Sequence, residues 1–311
     1  MKRLLTGLQP SGALHIGNYF GALKPFVETY GGYESFLMVA DYHSLTSLKD
    51  PKALRENIVE IVRAYLAAGV DPSKAVIFKQ SDVQEHTELA WIFECLVTVP
   101  FLELAHAYKD KTAKGLEANA GLFNYPMLMA ADILLYDTEV VPVGRDQQQH
   151  VEYAREAANK FNLAYGQTFT EPQAKILESV ATVPGTDGQK MSKSYKNTIP
   201  LFGSKEEISA AVMSIVTDSS GERPENVYQI HKLFKSEDEL SSIYGTNKGN
   251  YKALKEALIE DIEATVGPMR QKYESISETE VKKVLAEGRE KAHGIAAAKM
   301  ADVRQKIGVS F

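Results

Sequence analysis

Short apolar runs alternate with helix-length amphipathic stretches along the first half of the chain. Leu4-Leu5-Thr6-Gly7-Leu8, Phe36-Leu37-Met38-Val39-Ala40 and Val76-Ile77-Phe78 are continuous apolar segments. Buried parallel strands read this way because both faces of their sheet are covered. Between the last two, Asp50 reads as an N-cap and Pro51 as the first helical residue. Leu54, Ile58, Ile61, Val62, Tyr65 and Leu66 then recur at helical spacing, and Gly69 supplies the stop. Strand, helix, strand in this order predicts right-handed crossovers and a doubly wound parallel sheet.

From about His86 to Tyr136 the pattern is mostly helical, with Pro100 and Pro126 as punctuation. Glu139-Val140-Val141-Pro142-Val143-Gly144 reads as a further strand. Asp146 and Gln149 after it have the spacing of a capping box, and Val151, Ala154, Ala158 and Phe161 give the next helix an apolar stripe. After Ser194 the character changes. Amphipathic helices are predicted over about 205–217, 251–266 and 278–307, with loops at Asp218–Glu225 and Gly245–Asn250. The expected architecture is therefore α/β, with a Rossmann-like nucleotide-binding domain over 1–196 that carries a helical insertion at about 100–138. A helical C-terminal domain over 197–311 follows, its last helix able to pack back on the first domain.

A chain of 311 residues, 44% of them hydrophobic, has the apolar mass for about two domains. The single cysteine, Cys95, excludes an internal disulfide and fits a reducing compartment. No apolar run is long enough to span a bilayer, and Met1-Lys2-Arg3 leads straight into a strand-like segment. The expected location is the cytoplasm, with no membrane association. A net charge of −6 excludes a strongly basic nucleic-acid binder but permits a local basic face. Trp91 and Cys95 share one helical face, which suits core or subunit interface better than chemistry.

Two segments carry most of the chemistry. Gln9-Pro10-Ser11-Gly12-Ala13-Leu14-His15-Ile16-Gly17-Asn18 lies where the first strand turns into the first helix. Glycine there lets backbone approach a ligand closely, and free N–H groups at a helix start favour an anion. Lys190-Met191-Ser192-Lys193-Ser194 follows the loop Pro184-Gly185-Thr186-Asp187-Gly188. Two lysines on a hinged loop can close over a polyphosphate and stabilise charge on a departing pyrophosphate. Gly-x-Gly-x-x-Gly, the Gly-Lys-Ser/Thr phosphate loop and the Gly-x-Ser-x-Gly nucleophile turn are all absent from the sequence, and the seven histidines show no zinc-ligand spacing with Cys95. Positioning and charge stabilisation are favoured over covalent or metal-centred catalysis.

These two segments resemble the signatures of class I aminoacyl-tRNA synthetases. The stretches from Tyr125 to Tyr136, Val140-Val141-Pro142-Val143-Gly144 and Asp146-Gln147-Gln148-Gln149-His150 narrow the resemblance to the tryptophanyl-tRNA synthetase branch. Asn18 after Gly17 points the same way, because most class I relatives, the tyrosine enzymes included, carry histidine there. The similarity runs over essentially the whole chain and weakens after about residue 220.

The resemblance implies activation of L-tryptophan by ATP, with Mg²⁺ carried on the nucleotide and no protein-held metal. Transfer to the 3′-terminal adenosine of tRNA(Trp) follows, in a homodimer. It places Gln9, Pro10 and Ser11 around the substrate carboxylate and ATP. Gly17 and Asn18 fall on the adenosine and phosphate side, with His15 near the phosphates. Gly144, Arg145 and Asp146 fall at the ribose, although Arg145 stands where many relatives carry an acidic residue. Lys111 reaches the phosphates from the insertion, and Lys190, Met191, Ser192, Lys193 and Ser194 hold the leaving pyrophosphate. Asp132 accepts the indole N–H, a donor-only group. Met129, Val141 and Val143 line the indole pocket, Tyr125 and Gln147 hold the α-amino group, and His43 lies close by.

Overall fold

The computed structural model describes residues 1–115, 117–143, 148–176, 183–217 and 223–310. Its centre is a parallel sheet built from β1 (Arg3–Leu8), β2 (Glu34–Val39), β3 (Ala75–Lys79), β4 (Val140–Val143) and β5 (Gln173–Ile176) in the order β3-β2-β1-β4-β5. The order reverses between β1 and β4, so the crevice for a ligand lies beyond the carboxyl ends of these two strands. β5 is an addition to the sequence reading. Gln-Ala-Lys-Ile alternates polar and apolar residues over only four positions, too few to separate an edge strand from a loop.

The longer helices are α1 (Pro51–Ala67), α2 (Glu85–Glu94), α3 (His106–Ala113), α4 (Ala120–Leu134), α5 (Gln148–Tyr165), α6 (Lys205–Met213), α7 (Glu225–His231), α8 (Glu237–Thr246), α9 (Tyr251–Ser275) and α10 (Glu278–Lys306). α1 starts as expected, with the Asp50 carboxylate accepting from the amides of Lys52 and Ala53. Two local expectations need correction. Pro126 lies inside α4 rather than at a break, because burial of Pro126, Met127, Ala130, Ala131, Ile133 and Leu134 outweighs one missing backbone bond. α8 extends through Gly245 and Thr246, started by a Ser236–Glu239 capping box stronger than the glycine's helix penalty. The Gln149 amide accepts from His106 N and donates to Leu104 O, tying α5 to the insertion; Asp146, the other half of the capping box read from the sequence, lies outside the described residues.

Strand alternation divides the core between the two faces of the sheet. Leu4, Leu37, Val39, Ala75 and Ile77 join one cluster with α1 and α9; Leu5, Phe36, Met38 and Phe78 join the other with α2, α4 and α5. α10 belongs to both, through Val281, Val284 and Leu285 on the first side and Ala292, Ala296, Met300 and Val303 on the second. It runs along the edge strand β3 and crosses it at Gly288, where a Cβ would stand 1.8 Å from the Ile77 carbonyl oxygen. A helix seated on β3 covers a strand edge that would otherwise template association. Trp91 is 67% exposed and Cys95 is exposed, which removes the core reading for that face of α2.

Gly288→Ala is expected to destabilise the protein by about 1–3 kcal/mol or more, since the added methyl meets backbone that cannot swing away. Gly294→Ala on the same helix meets nothing within 4 Å and is expected to be neutral or slightly stabilising. Denaturation midpoints of the two variants check the pair.

Candidate active site

Segments that leave the carboxyl ends of the strands build the site. β1 delivers Gln9 and Ser11, both exposed, through a tight turn in which Ser11 N donates to Gln9 O at 2.8 Å. Gly12 adopts φ +111°, a conformation that side chains disfavour and that redirects the chain into the one-turn helix Ile16–Asn18. Asn18 closes that turn, its Oδ1 accepting from His15 N at 3.1 Å.

The lysine loop reaches the same place from the other half of the chain. Leu201 N donates to Leu14 O at 2.9 Å and Ile16 N to Ile199 O at 3.0 Å, so residues 199–201 lie beside the first motif as a short antiparallel bridge. Lys193 Nζ then donates to Gly12 O at 2.9 Å. A Cβ on Gly17 would lie 3.4 Å from Met191 Cβ, so the buried methionine packs against that glycine. Gln9, Pro10, Ser11, His15, Gly17 and Asn18 are thus brought to one locus with Met191, Ser192, Lys193 and Ser194.

Asn197, which the motif reading passed over, holds the loop in shape. It is buried; its Oδ1 accepts from Ser192 N at 2.8 Å and its Nδ2 donates to Asp187 Oδ1 at 2.7 Å and to Lys190 O at 3.1 Å. Its neighbours Lys196 and Thr198 are polar too, so nothing in the local sequence singles out this amide that joins three points of one loop. Lys190 is exposed at the bridge with Pro184. Lys111 stands in the last turn of α3, and the neighbouring Lys114 ammonium, paired first with Asp110, also feels the Tyr195 phenol. The end of α3 therefore faces the lysine loop.

His15 is 7% exposed, and its Nδ1 has no partner. Burial first and the Lys193 charge second push its imidazole down to about 4, so the ring is neutral at physiological pH. Burial also lowers the Lys193 ammonium. A half-buried lysine beside a histidine nitrogen without a partner forms an electropositive site for an anion's oxygens.

A second cluster lies beyond β2 and β3. Ala40 N donates to Leu8 O at 3.0 Å, which sets the turn carrying His43 beside the first motif. Asp132 on α4 is 1% exposed. Its Oδ2 bonds His43 Nε2 at 2.8 Å, its Oδ1 bonds His86 Nδ1 at 2.6 Å, and Gln80 Nε2 spans both oxygens at 2.8 and 3.0 Å. Burial pushes this carboxyl up, but hydrogen bonds and charge from His43 and His86 outweigh it and hold the pKa at about 2. Gln80 and His86 were missed in the sequence because nothing in their spacing ties them to residue 132. Met129 is half-buried one turn before Asp132, Val141 is buried in β4, and the Tyr125 ring meets His43 edge-on at 6.4 Å. The Tyr125 hydroxyl bonds His150 Nε2 at 2.8 Å, and burial raises its pKa to about 12. Gly144, Arg145, Asp146, Gln147 and the side chain of Val143 lie outside the described residues.

The depressed pKa of His15 carries a stability consequence. As pH falls below 6.5 the unfolded chain takes up a proton that folded His15 refuses, so stability present above that value is lost progressively down to about pH 4. NMR titration is expected to find one histidine still neutral at pH 5, and to find it titrating closer to the ordinary value in Lys193→Met.

Residues 1–301 match the family model of class I tRNA synthetases (W and Y). A tryptophan–tRNA ligase of Fusobacterium nucleatum is 49% identical, over 99% of this chain and 98% of that protein. The crystal structure of the Campylobacter jejuni tryptophanyl-tRNA synthetase, complexed with ADP and tryptophan, superposes with a TM-score of 0.92 at 46% identity, covering 98% of this chain and 99% of that one. An Archaeoglobus fulgidus tyrosyl-tRNA synthetase shares the fold at a TM-score of 0.66 and 19% identity, over 88% of this chain and 90% of that one. With a switch-point crevice, two distant motifs joined above it and these full-length likenesses, the chain belongs to the class I tRNA synthetases of the tryptophan and tyrosine family.

Proposed function

We propose that the chain is a tryptophan–tRNA ligase that converts L-tryptophan and ATP to tryptophanyl-adenylate and pyrophosphate, then passes tryptophan to the terminal adenosine of tRNA(Trp). The observation that carries the reading is the Lys193 Nζ–Gly12 O bond, which draws a polyphosphate-binding loop onto the turn after β1. Tryptophan is favoured over tyrosine by 49% and 46% full-length identity to tryptophan enzymes, and by Asn18 in the first motif.

In the first step the tryptophan carboxylate attacks the α-phosphorus in line and the P–O bond to pyrophosphate breaks. Little covalent work falls to the protein, so catalysis is positioning plus charge stabilisation. Gln9, Ser11, Gly17 and Asn18 receive the nucleotide at the β1 turn, with Gly144, Arg145 and Asp146 at the ribose. Neutral His15 donates to a phosphate oxygen. Lys111, Lys190, Ser192 and Lys193 meet the charge that grows on the leaving group. Lys193 exchanges a backbone carbonyl for that charge, so its contact strengthens toward the transition state. The loop offers ammonium and hydroxyl groups, and Oδ1 of its Asp187 is occupied by Asn197. Mg²⁺ would be held by the triphosphate and would offset part of its charge beside these loop groups.

Asp132, ionised and acceptor-only, reads the indole N–H, its oxygens shared with the donors that already surround them. Met129, Val141 and Val143 flank the ring, and Tyr125, Gln147 and His43 orient the amino-acid end. The helices from α6 onward contact tRNA as a helical domain beginning near Asn197. The exposed face with Trp91 and Cys95 suits an interface between two copies in a homodimer. The enzyme works in the cytoplasm; among the described residues no helix is long and apolar enough to cross a membrane.

Amino-acid-dependent exchange of pyrophosphate into ATP, run with each amino acid, tests the assignment. Tryptophan should support exchange, and support by tyrosine instead would overturn it. Lys193→Ala is expected to lower kcat by about a hundredfold, roughly 3 kcal/mol of transition-state stabilisation, with a smaller change in ATP affinity. Asp132→Ala should raise the KM for tryptophan far more than that for ATP, and both ratios come from the same exchange kinetics.

A further inference from the structure

The bonds that fix Asp132 continue into a deeper layer. His86, Gln80 and Tyr136 are each fully buried. An ionised carboxylate can only accept, so His86 must donate from Nδ1 to Asp132 Oδ1 across 2.6 Å. In the neutral ring Nε2 then accepts from the Tyr136 hydroxyl at 2.8 Å. Both edges of the imidazole are thereby committed: the carboxylate sets its tautomer, and the phenol behind it satisfies the other nitrogen.

The ring is also held by packing. Phe78 of β3 stacks on His86 with ring centroids 6.1 Å apart, and Tyr136 stacks on Phe36 of β2 at 5.1 Å. Gln80 has no freedom to flip its amide, because Oε1 accepts from Tyr42 N at 3.1 Å while Nε2 faces Asp132. The carboxylate is thus anchored on the sheet side by groups that reach no solvent, while His43 stands on the side of Tyr125.

We propose that His86 is a positioning residue for amino-acid selection: it never touches substrate, but it aims the Asp132 carboxylate at the side-chain pocket. The inference rests on the reading of Asp132 as the acceptor for the indole N–H. Without the Nδ1 donor, Oδ1 loses its shortest bond and the carboxylate can turn toward the remaining partners. Tryptophan would then meet an acceptor pointing elsewhere, while the nucleotide groups at the β1 turn are untouched.

The test compares His86→Leu, which removes the donor, with His86→Asn, whose Nδ2 stands where the imidazole Nδ1 stood, and Asp132→Asn in parallel. Each is assayed by pyrophosphate exchange for the KM of tryptophan, the KM of ATP and kcat, alongside its melting temperature. His86→Leu is expected to raise the tryptophan KM roughly 10–100-fold, the scale of one lost buried hydrogen bond to a charged group. The ATP KM should stay within about twofold, and His86→Asn should recover most of the loss. If Asp132→Asn raises the tryptophan KM and His86→Leu does not, this inference fails and the reading of Asp132 stands. An unchanged tryptophan KM in Asp132→Asn removes that reading and this inference together. Equal loss for tryptophan and ATP in His86→Leu, with no recovery in His86→Asn, makes the histidine merely structural and also overturns it.

Discussion

The site depends on a short stretch of backbone pairing between segments almost two hundred residues apart. Ile16 N donates to Ile199 O, and Leu201 N donates to Leu14 O. Those two bonds place the segment after the lysine loop beside the turn that follows β1, and Asn197 passes the constraint up the loop to Ser192 and Lys190. Main-chain bonds suit this task because they fix direction and register without depending on side-chain rotamers. Lys193 is then short of only one flexible side chain's reach, which it spans to the Gly12 carbonyl. A loop held at its base and mobile at its ammonium can follow a phosphate through a reaction without rebuilding the fold.

Electrostatics divide the site into two halves with opposite demands. Around the first motif, burial and a neighbouring lysine keep His15 uncharged, so the region is positive through Lys193 and polar through histidine and backbone. Around Asp132 the charge is negative, and donors from His43, Gln80 and His86 make it tolerable in a place that water does not reach. An unpaired buried carboxylate would protonate or unfold the region. The crowd of donors around Asp132 therefore serves stability. These two environments, one positive and polar and the other negative and enclosed, sit at adjacent strand ends.

α10 connects the far end of the chain to this arrangement. By crossing β3 at Gly288 it seals the edge strand whose carboxyl end delivers Gln80, and the His293 ring approaches Glu85, the neighbour of His86, at 3.3 Å. The last helix thus helps hold the elements beneath the Asp132 cluster.

Local pattern was enough for what is local. Apolar runs marked β1 to β4, Asp50 and Pro51 marked the start of α1, and glycine with serine and histidine marked the turn after β1, because these follow from short-range sterics and hydrogen bonding. The class of chemistry was legible too, since polyphosphate binding needs lysines and close backbone in recognisable clusters. Tertiary structure decided the rest. β5 was too short to announce itself, Pro126 was tolerated because burial repaid its missing bond, and the Trp91 face stayed outside because no element among the described residues packs over it. His86, Gln80, Tyr136 and Asn197 acquire meaning only from partners that the fold brings to them. A buried polar residue is defined by what satisfies it, and that partner is a property of the folded chain rather than of its neighbours in sequence.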